Sequence, residues 1–295
     1  MHNGFHWIRW IIVTTQSSRP ITVPHPPRGA DAENRTAQRL VALRALLERT
    51  DLRPGAEVDA AFSELVRLCC HPPAGCTGGV LARVAAHSAG LRALSSAGEG
   101  HMERHWARRI ATAADPAAEL DRFPYLGNYH DLVRLELAAL AAVGRPVPRR
   151  AVVLGSGPLP LTGLVLAARH GVDVVHVDRD PEAARAGAAV ATALGIGART
   201  VCTDVADVGP DVLAGADLVL LGALVGTDAA AKDRITSRIA AAAPEATQLV
   251  RTAAGLRTLL YPEVTAADLT GLDVLLEVHP RTDVVNSVLV ATARR

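Results

Sequence analysis

Charge of one sign, membrane-length apolar runs, paired cysteines and aromatics are all in short supply in this 295-residue chain. Basic and acidic residues number 31 and 30, a formal charge of +1, so nothing advertises a nucleic-acid or anionic-membrane partner. No apolar stretch approaches the roughly 18 residues of a membrane helix. The N-terminal Trp7-Ile8-Arg9-Trp10-Ile11-Ile12-Val13 is short, interrupted by arginine and lacks a small-residue cleavage site, which argues against a signal peptide. Cys69, Cys70, Cys76 and Cys202 are too few and too bunched for a secreted disulfide framework, and the cytoplasm is the expected compartment. Their spacing with His71 fits no standard zinc pattern. His101 and His105 lack the glutamate of a His-Glu-x-x-His helix, so no metal site is expected. Lysine is rarer still: every basic position except Lys232 is arginine, read here as coding bias rather than chemistry. Aromatics make up 3%, and the three tyrosines, Tyr125, Tyr129 and Tyr261, are informative by rarity alone. What remains, 49% hydrophobic and 21% charged, buries a real core and is neither disordered nor fibrous.

The chain changes period half-way. Pro20, Pro24, Pro26 and Pro27 mark a mobile arm, expected to leave residues 1–32 disordered. From 33 to 146 the apolar spacing is helical, with Leu40, Leu43 and Leu47 on one face and Phe62, Leu65, Val66 and Cys69 on another. Asp115 before Pro116 reads as an N-cap with proline at the first helical position. The segment 130–143 reads as an amphipathic helix with Leu132, Leu135 and Leu140 inward. Arg145-Pro146-Val147-Pro148 then breaks the pattern and marks a junction. Over 147–295, strands are expected at 151–154, 173–177, 200–202, 217–221, 248–251, 274–279 and 284–291. The first five alternate with helices, which means a parallel sheet covered on both faces. A hairpin-length link at 280–283 makes one of the last two strands antiparallel. The expected fold is α/β: a Rossmann-like class I S-adenosylmethionine-dependent transferase domain preceded by an all-α helical bundle.

A nucleoside site follows from the strand ends. Val152-Val153-Leu154 runs into Gly155-Ser156-Gly157-Pro158-Leu159-Pro160, a glycine loop that lets the backbone approach a ligand. Pro160 stands where a dinucleotide site needs its third glycine, which argues against a pyrophosphate ligand. Asp178, ending the second strand, is placed to accept the ribose hydroxyls, with Asp180 as a substitute. Asp204 is placed for the adenine amino group, and Gly222-Ala223-Leu224-Val225-Gly226 lines the sulfonium side. Helix capping is the plainer role for such aspartates.

The run Leu154 to Thr162 resembles the signature of the nicotianamine synthases. So do Ala223-Leu224-Val225-Gly226, the segment from Arg251 through Arg257 to Tyr261-Pro262, His279-Pro280 with Val284-Val285-Asn286-Ser287-Val288, Glu99-Gly100 through Glu103-x-His105-Trp106, and Phe123-Pro124-Tyr125-x-x-Asn128-Tyr129. The likeness covers about 57–293, and all three tyrosines lie inside it. It implies S-adenosylmethionine as donor, a small-molecule amine or amino acid as acceptor, and no metal. It also implies transfer of the donor's 3-amino-3-carboxypropyl group, with 5′-methylthioadenosine leaving, in metallophore biosynthesis.

The chemistry needs a donor held for in-line attack at about 3 Å and an acceptor amine freed of its proton. Glu99 and Glu103 sit four apart on one helix face, so one of them holds or deprotonates the amine while a tyrosine orients it. Glu103 with Tyr129 and Glu99 with Tyr125 have the same separation, and the sequence does not choose between them. Arg251 and Arg257 are candidates to clamp a carboxylate bidentately, with Tyr261 closing the pocket. Asn286 and Ser287 are further candidates to bond ligand, whereas His279 reads as structural. Transfer to a non-amine acceptor, cyclisation of the donor to azetidine-2-carboxylate and conventional methyl transfer stay open as alternatives.

Overall fold

The computed structural model describes residues 29–226 and 228–294. The arm expected over 1–32, including the Trp7 to Val13 stretch, lies outside the described residues as far as position 28. From Gly29 the chain is already helical, so its last few residues are helix rather than arm.

Among the described residues six α-helices come first: α1 (Gly29–Leu47), α2 (Ala56–Cys70), α3 (Thr77–Val84), α4 (Ser88–Thr112), α5 (Pro116–Asp121) and α6 (Leu126–Ala142). Asp115 caps α5 by accepting the Ala118 N–H at 3.0 Å, with Pro116 at the first position, as the sequence pattern demands. The α2 ring of Phe62 packs where Gly98 of α4 has no side chain, so a Cβ there would strike it. That close approach offsets the roughly 1 kcal/mol helix penalty of glycine. α6 stops at Gly144, whose φ of 73° sends the chain backwards, and Arg145 N–H bonds Leu140 O at 2.9 Å before Pro146 bars any further turn.

The second half is one seven-stranded sheet in the order β3-β2-β1-β4-β5-β7-β6. The strands are β1 (Arg150–Leu154), β2 (Asp173–Asp178), β3 (Ala198–Cys202), β4 (Leu218–Leu221), β5 (Thr247–Thr252), β6 (Leu272–Val278) and β7 (Ser287–Ala293). The first five run parallel, and β7 lies antiparallel between β5 and β6. Helices α7 (Leu161–His170), α8 (Pro181–Ala193), α9 (Pro210–Leu213) and α10 (Ala229–Ala242) cover it. Successive strand residues point to opposite faces. Val152, Leu154, Val175 and Val219 therefore pack against Ile239 of α10, while Ala151, Val153, Val174 and Leu220 pack against Val133 and Leu140 of α6.

The helices share their cores with the sheet half. Leu256, Leu259 and Leu260 complete the cluster of Leu40, Leu43, Leu47 and Leu65. Leu159, Leu161 and Leu164 complete that of Ala107, Ile110 and Phe123. Two expectations need correction. The last strand starts at Ser287 rather than 284, because Asp283 is tied down: its carboxylate meets His71 Nε2 at 2.6 Å and its carbonyl accepts from Asn128 Nδ2 at 2.9 Å. The link between the last two strands is thus longer than a hairpin turn. Leu135 is only half-buried, the inward stripe of α6 being Leu132, Val133, Glu136, Ala139 and Leu140. Among the described residues no helix is long and apolar enough to cross a membrane.

Candidate active site

Strand order reverses between β1 and β4, and the crevice outside their carboxyl ends is where open α/β sheets take ligands. The loop after β1 fills that position. Gly155 and Gly157 have φ of 72° and 70°, left-handed values that disfavour any other residue. The N–H groups of Gly155 and Ser156 both donate to Val177 O, at 2.8 and 3.1 Å, which stitches the loop to the end of β2. A Cβ on Gly155 would strike Val225, and one on Gly157 would stand 2.7 Å from Glu103 Oε2. The glycines therefore admit both the loop after β4 and a carboxylate from α4. Pro158, Leu159 and Pro160 turn inward and are buried.

Asp178 accepts the Gly157 N–H at 2.8 Å on one oxygen and the Asp180 N–H at 3.0 Å on the other. Each oxygen keeps a second acceptor site, which fits the paired hydroxyls of a ribose. Asp180 instead caps α8, accepting Glu182 N–H at 2.9 Å and meeting Arg104 of α4 at 3.3 Å. The Glu182 backbone bond holds its carboxyl below the usual range. Asp204 caps the 3₁₀ turn that follows β3, with Arg179 at 3.9 Å. Beyond β4, Ala223 is buried, Val225 packs at Gly155, and Leu224 is exposed at the rim. The donor set is one of backbone N–H groups, carboxylate and apolar wall, and it fits an adenosyl ligand without pyrophosphate.

Above the loop, α4 presents its two glutamates one turn apart, both half-buried. The Tyr129 hydroxyl donates to Glu103 Oε1 at 3.4 Å, and the Tyr261 hydroxyl donates to Glu99 Oε1 at 3.0 Å. The pairing of Glu99 with Tyr125 is not formed. Tyr125 packs its ring edge against Phe123 at 5.8 Å, in the cluster with Trp106. Burial raises the Glu99 pKa, opposed by the Tyr261 bond and Arg251. Burial, then the charge of Glu99, lifts Glu103 well above the ordinary carboxylate range. Tyr129 and Tyr261 are pushed up in turn by burial and by those carboxylates, so both stay protonated donors. A buried carboxylate pair with raised pKa values, beside the crevice at the ends of β1 and β4, is suited to take a proton from a cationic amine through its ionised member.

The family described as nicotianamine synthase protein matches residues 30–295 of the chain. The chain belongs to that family. Nicotianamine synthase 9 of Hordeum vulgare is 40% identical over 256 residues, covering 84% of this chain and 75% of that protein. Nicotianamine synthase 1 of Oryza sativa subsp. japonica is 38% identical over 273 residues, covering 86% and 80%. A solved structure of MtNAS in complex with MTA and tNA gives a TM-score of 0.76 at 23% identity, over 90% of this chain and 98% of that one. A mutant of MtNAS in complex with S-adenosylmethionine gives 0.74 at 22% identity, over 88% and 98%. At these identities the structural likeness is one of fold. As a member of the nicotianamine synthase family, the protein is an S-adenosylmethionine-dependent 3-amino-3-carboxypropyltransferase.

Within this nicotianamine synthase fold both arginines carry bonds to the protein itself. Arg251, at the end of β5, is buried and gives its Nε to Glu136 Oε1 and its Nη2 to Thr162 Oγ1, both at 2.7 Å. Arg257 donates from Nη2 to Thr282 O at 2.7 Å, tying the 3₁₀ turn at Gly255–Leu259 to the link before β7. Asn286 is buried and Ser287 Oγ meets His279 Nδ1 at 2.9 Å. Two buried charges stand outside the site residues that the sequence offered. Glu136 is buried in α6 as the counter-charge of Arg251. Its place four after Leu132 and four before Leu140 was the signal, since it put a carboxylate in an inward stripe. Lys232 is fully buried in α10, and its solitary status among arginines was the clue.

Proposed function

We propose that the protein passes the 3-amino-3-carboxypropyl group of S-adenosylmethionine to the amine of an amino acid, building a metal chelator of the nicotianamine type, with Glu103 as the proton acceptor. The reading is carried by one arrangement: two half-buried glutamates a helical turn apart over the glycine loop, each fixed by a tyrosine hydroxyl. The donor supplies a methylene carbon made electrophilic by its bond to sulfonium. As the new C–N bond forms there, the C–S bond breaks, the sulfur keeps the electron pair, and 5′-methylthioadenosine departs. The amine proton passes to the Glu103 carboxylate, which Tyr129 orients. Glu99 steadies the cationic head groups beside it, and Tyr261 fixes Glu99. Asp178 holds the ribose, with Gly155, Ser156 and Gly157 beneath it and Ala223, Leu224 and Val225 as the opposite wall. The proposed setting is metallophore biosynthesis in the cytoplasm, in keeping with cysteines that are all free thiols.

Mass spectrometry of the purified protein with S-adenosylmethionine and a panel of amino acids tests this directly. The expected products are 5′-methylthioadenosine and an amine carrying one or more aminocarboxypropyl units. S-Adenosylhomocysteine as the sole nucleoside product would end the proposal, and azetidine-2-carboxylate without an amine adduct would move it to donor cyclisation. For the donor site, Asp178→Ala is expected to raise the donor Kd by about tenfold or more, since two hydrogen bonds to a charged acceptor are lost. Calorimetric titration with S-adenosylmethionine measures it, and a wild-type Kd would remove Asp178 from the site.

A further inference from the structure

We infer that Lys232 is a positioning residue of the donor site, its ammonium tying the loop 222–226 to the end of β5. The inference rests on the donor-site reading above. Lys232 lies on α10 with no exposed surface. Its Nζ donates to Ala223 O at 2.8 Å, to Gly222 O at 3.2 Å and to Arg251 O at 3.2 Å. An ammonium has three donors, and all three are used. The carbonyls belong to two separate segments. Gly222 and Ala223 begin the loop whose Val225 packs at Gly155, while Arg251 is the residue held from α6 by Glu136. One side chain thus sets the spacing between the wall of the nucleoside crevice and the strand that carries the buried guanidinium.

The side chain also supports the loop by contact. Gly226 has φ of 76°, and a Cβ there would stand 3.0 Å from Lys232 Cγ and 3.1 Å from its backbone nitrogen. The loop therefore lies directly on the lysine stem. Three carbonyls converging on a point suit a compact tetrahedral ammonium and not a planar guanidinium fork. In a chain whose other basic side chains are all arginine, that geometry accounts for the single lysine, and it replaces the reading of Lys232 as coding bias. Burial, and then the charge of Arg251, push the lysine pKa down to about 7.

The test compares Lys232→Met, which keeps the packing and removes the donors, with Ile239→Ala on the same helix. The second variant opens a cavity in the core and leaves the ammonium and its three carbonyl partners in place. Wild-type protein forming 5′-methylthioadenosine is the control for the donor-site reading, so its failure is seen separately. Lys232→Met is expected to raise the S-adenosylmethionine Kd and the donor KM by about tenfold, from the loss of hydrogen bonds to a charged group. The acceptor KM stays within about twofold, and Ile239→Ala lowers Tm with no change in donor Kd. Equal donor affinity in Lys232→Met and wild type would overturn the assignment, as would an equal loss in Ile239→Ala. Should Lys232→Met not fold, Gly226→Ala serves instead, because its methyl presses the loop off the lysine stem. It must then show the same donor-specific loss, and a wild-type Kd there overturns the inference.

Discussion

Glu103→Gln is expected to bind S-adenosylmethionine with little change and to lower turnover by about 10² to 10⁴-fold, the range for removing a general base. The amide keeps the shape of the carboxylate and still accepts the Tyr129 hydroxyl, which lies 3.4 Å from Oε1. What it cannot do is take a proton. An acceptor amine arrives protonated at neutral pH, so the proton has to go somewhere before the lone pair can attack. Glu103 is fitted for that because burial and then Glu99 raise its pKa well above the ordinary 4.5, toward the working range of a base. The same shift has a signature in stability. A carboxyl whose pKa is raised on folding stabilises the fold fully below its unfolded value, and that contribution is lost as pH rises through the folded value. The Tm of Glu103→Gln should therefore gain on the wild type as pH climbs from about 4.5 toward neutrality, read by thermal melts of ligand-free protein. Wild-type kcat in Glu103→Gln, with the loss appearing in Glu99→Gln, would pass the role to Glu99 and its partner Tyr261.

How much of this was readable in the chain depends on distance along it. The parallel sheet and its antiparallel finish followed from local signals, because each strand is a short apolar run between helices and the fold adds only register. The glycine loop and Asp178 were equally local, since a strand end dictates which residues reach the crevice. Tyr129 and Glu103 are 26 residues apart, within reach of helix-face arithmetic, and their pairing stands among those the sequence offered. Tyr261 and Glu99 are 162 residues apart. Only the tertiary packing of Leu256, Leu259 and Leu260 into the N-terminal helices brings them together, so equal spacing pointed to Tyr125 instead. Arg251 was legible as a special cation but not as a paired one, because Glu136 lies in a separate helix 115 residues earlier.

That pair sets the second large effect: Glu136→Ala should cost about 3–5 kcal/mol, the range for removing one partner of a buried ion pair. The guanidinium and the carboxylate are 10% and 3% exposed, so solvent screens neither. Burial works against the charge of Arg251, yet Glu136, through charge and hydrogen bond together, more than restores it. Without Glu136 the cation stays in place, because its Nη2 still bonds Thr162 and its carbonyl still takes Lys232, but it has lost its counter-charge. For a chain of this size the drop in Tm is on the order of 10 °C, followed by calorimetry. A double variant, Glu136→Leu with Arg251→Met, should recover most of it, since an apolar pair of similar volume leaves no uncompensated charge. Activity is expected to stay low in both. The charge of Arg251 also opposes the burial that raises the Glu99 pKa, so the pair that joins α6 to β5 reaches that carboxylate as well. A Glu136→Ala protein that melts with the wild type would mean that the arginine finds another anion, and Glu99 is the one within its field.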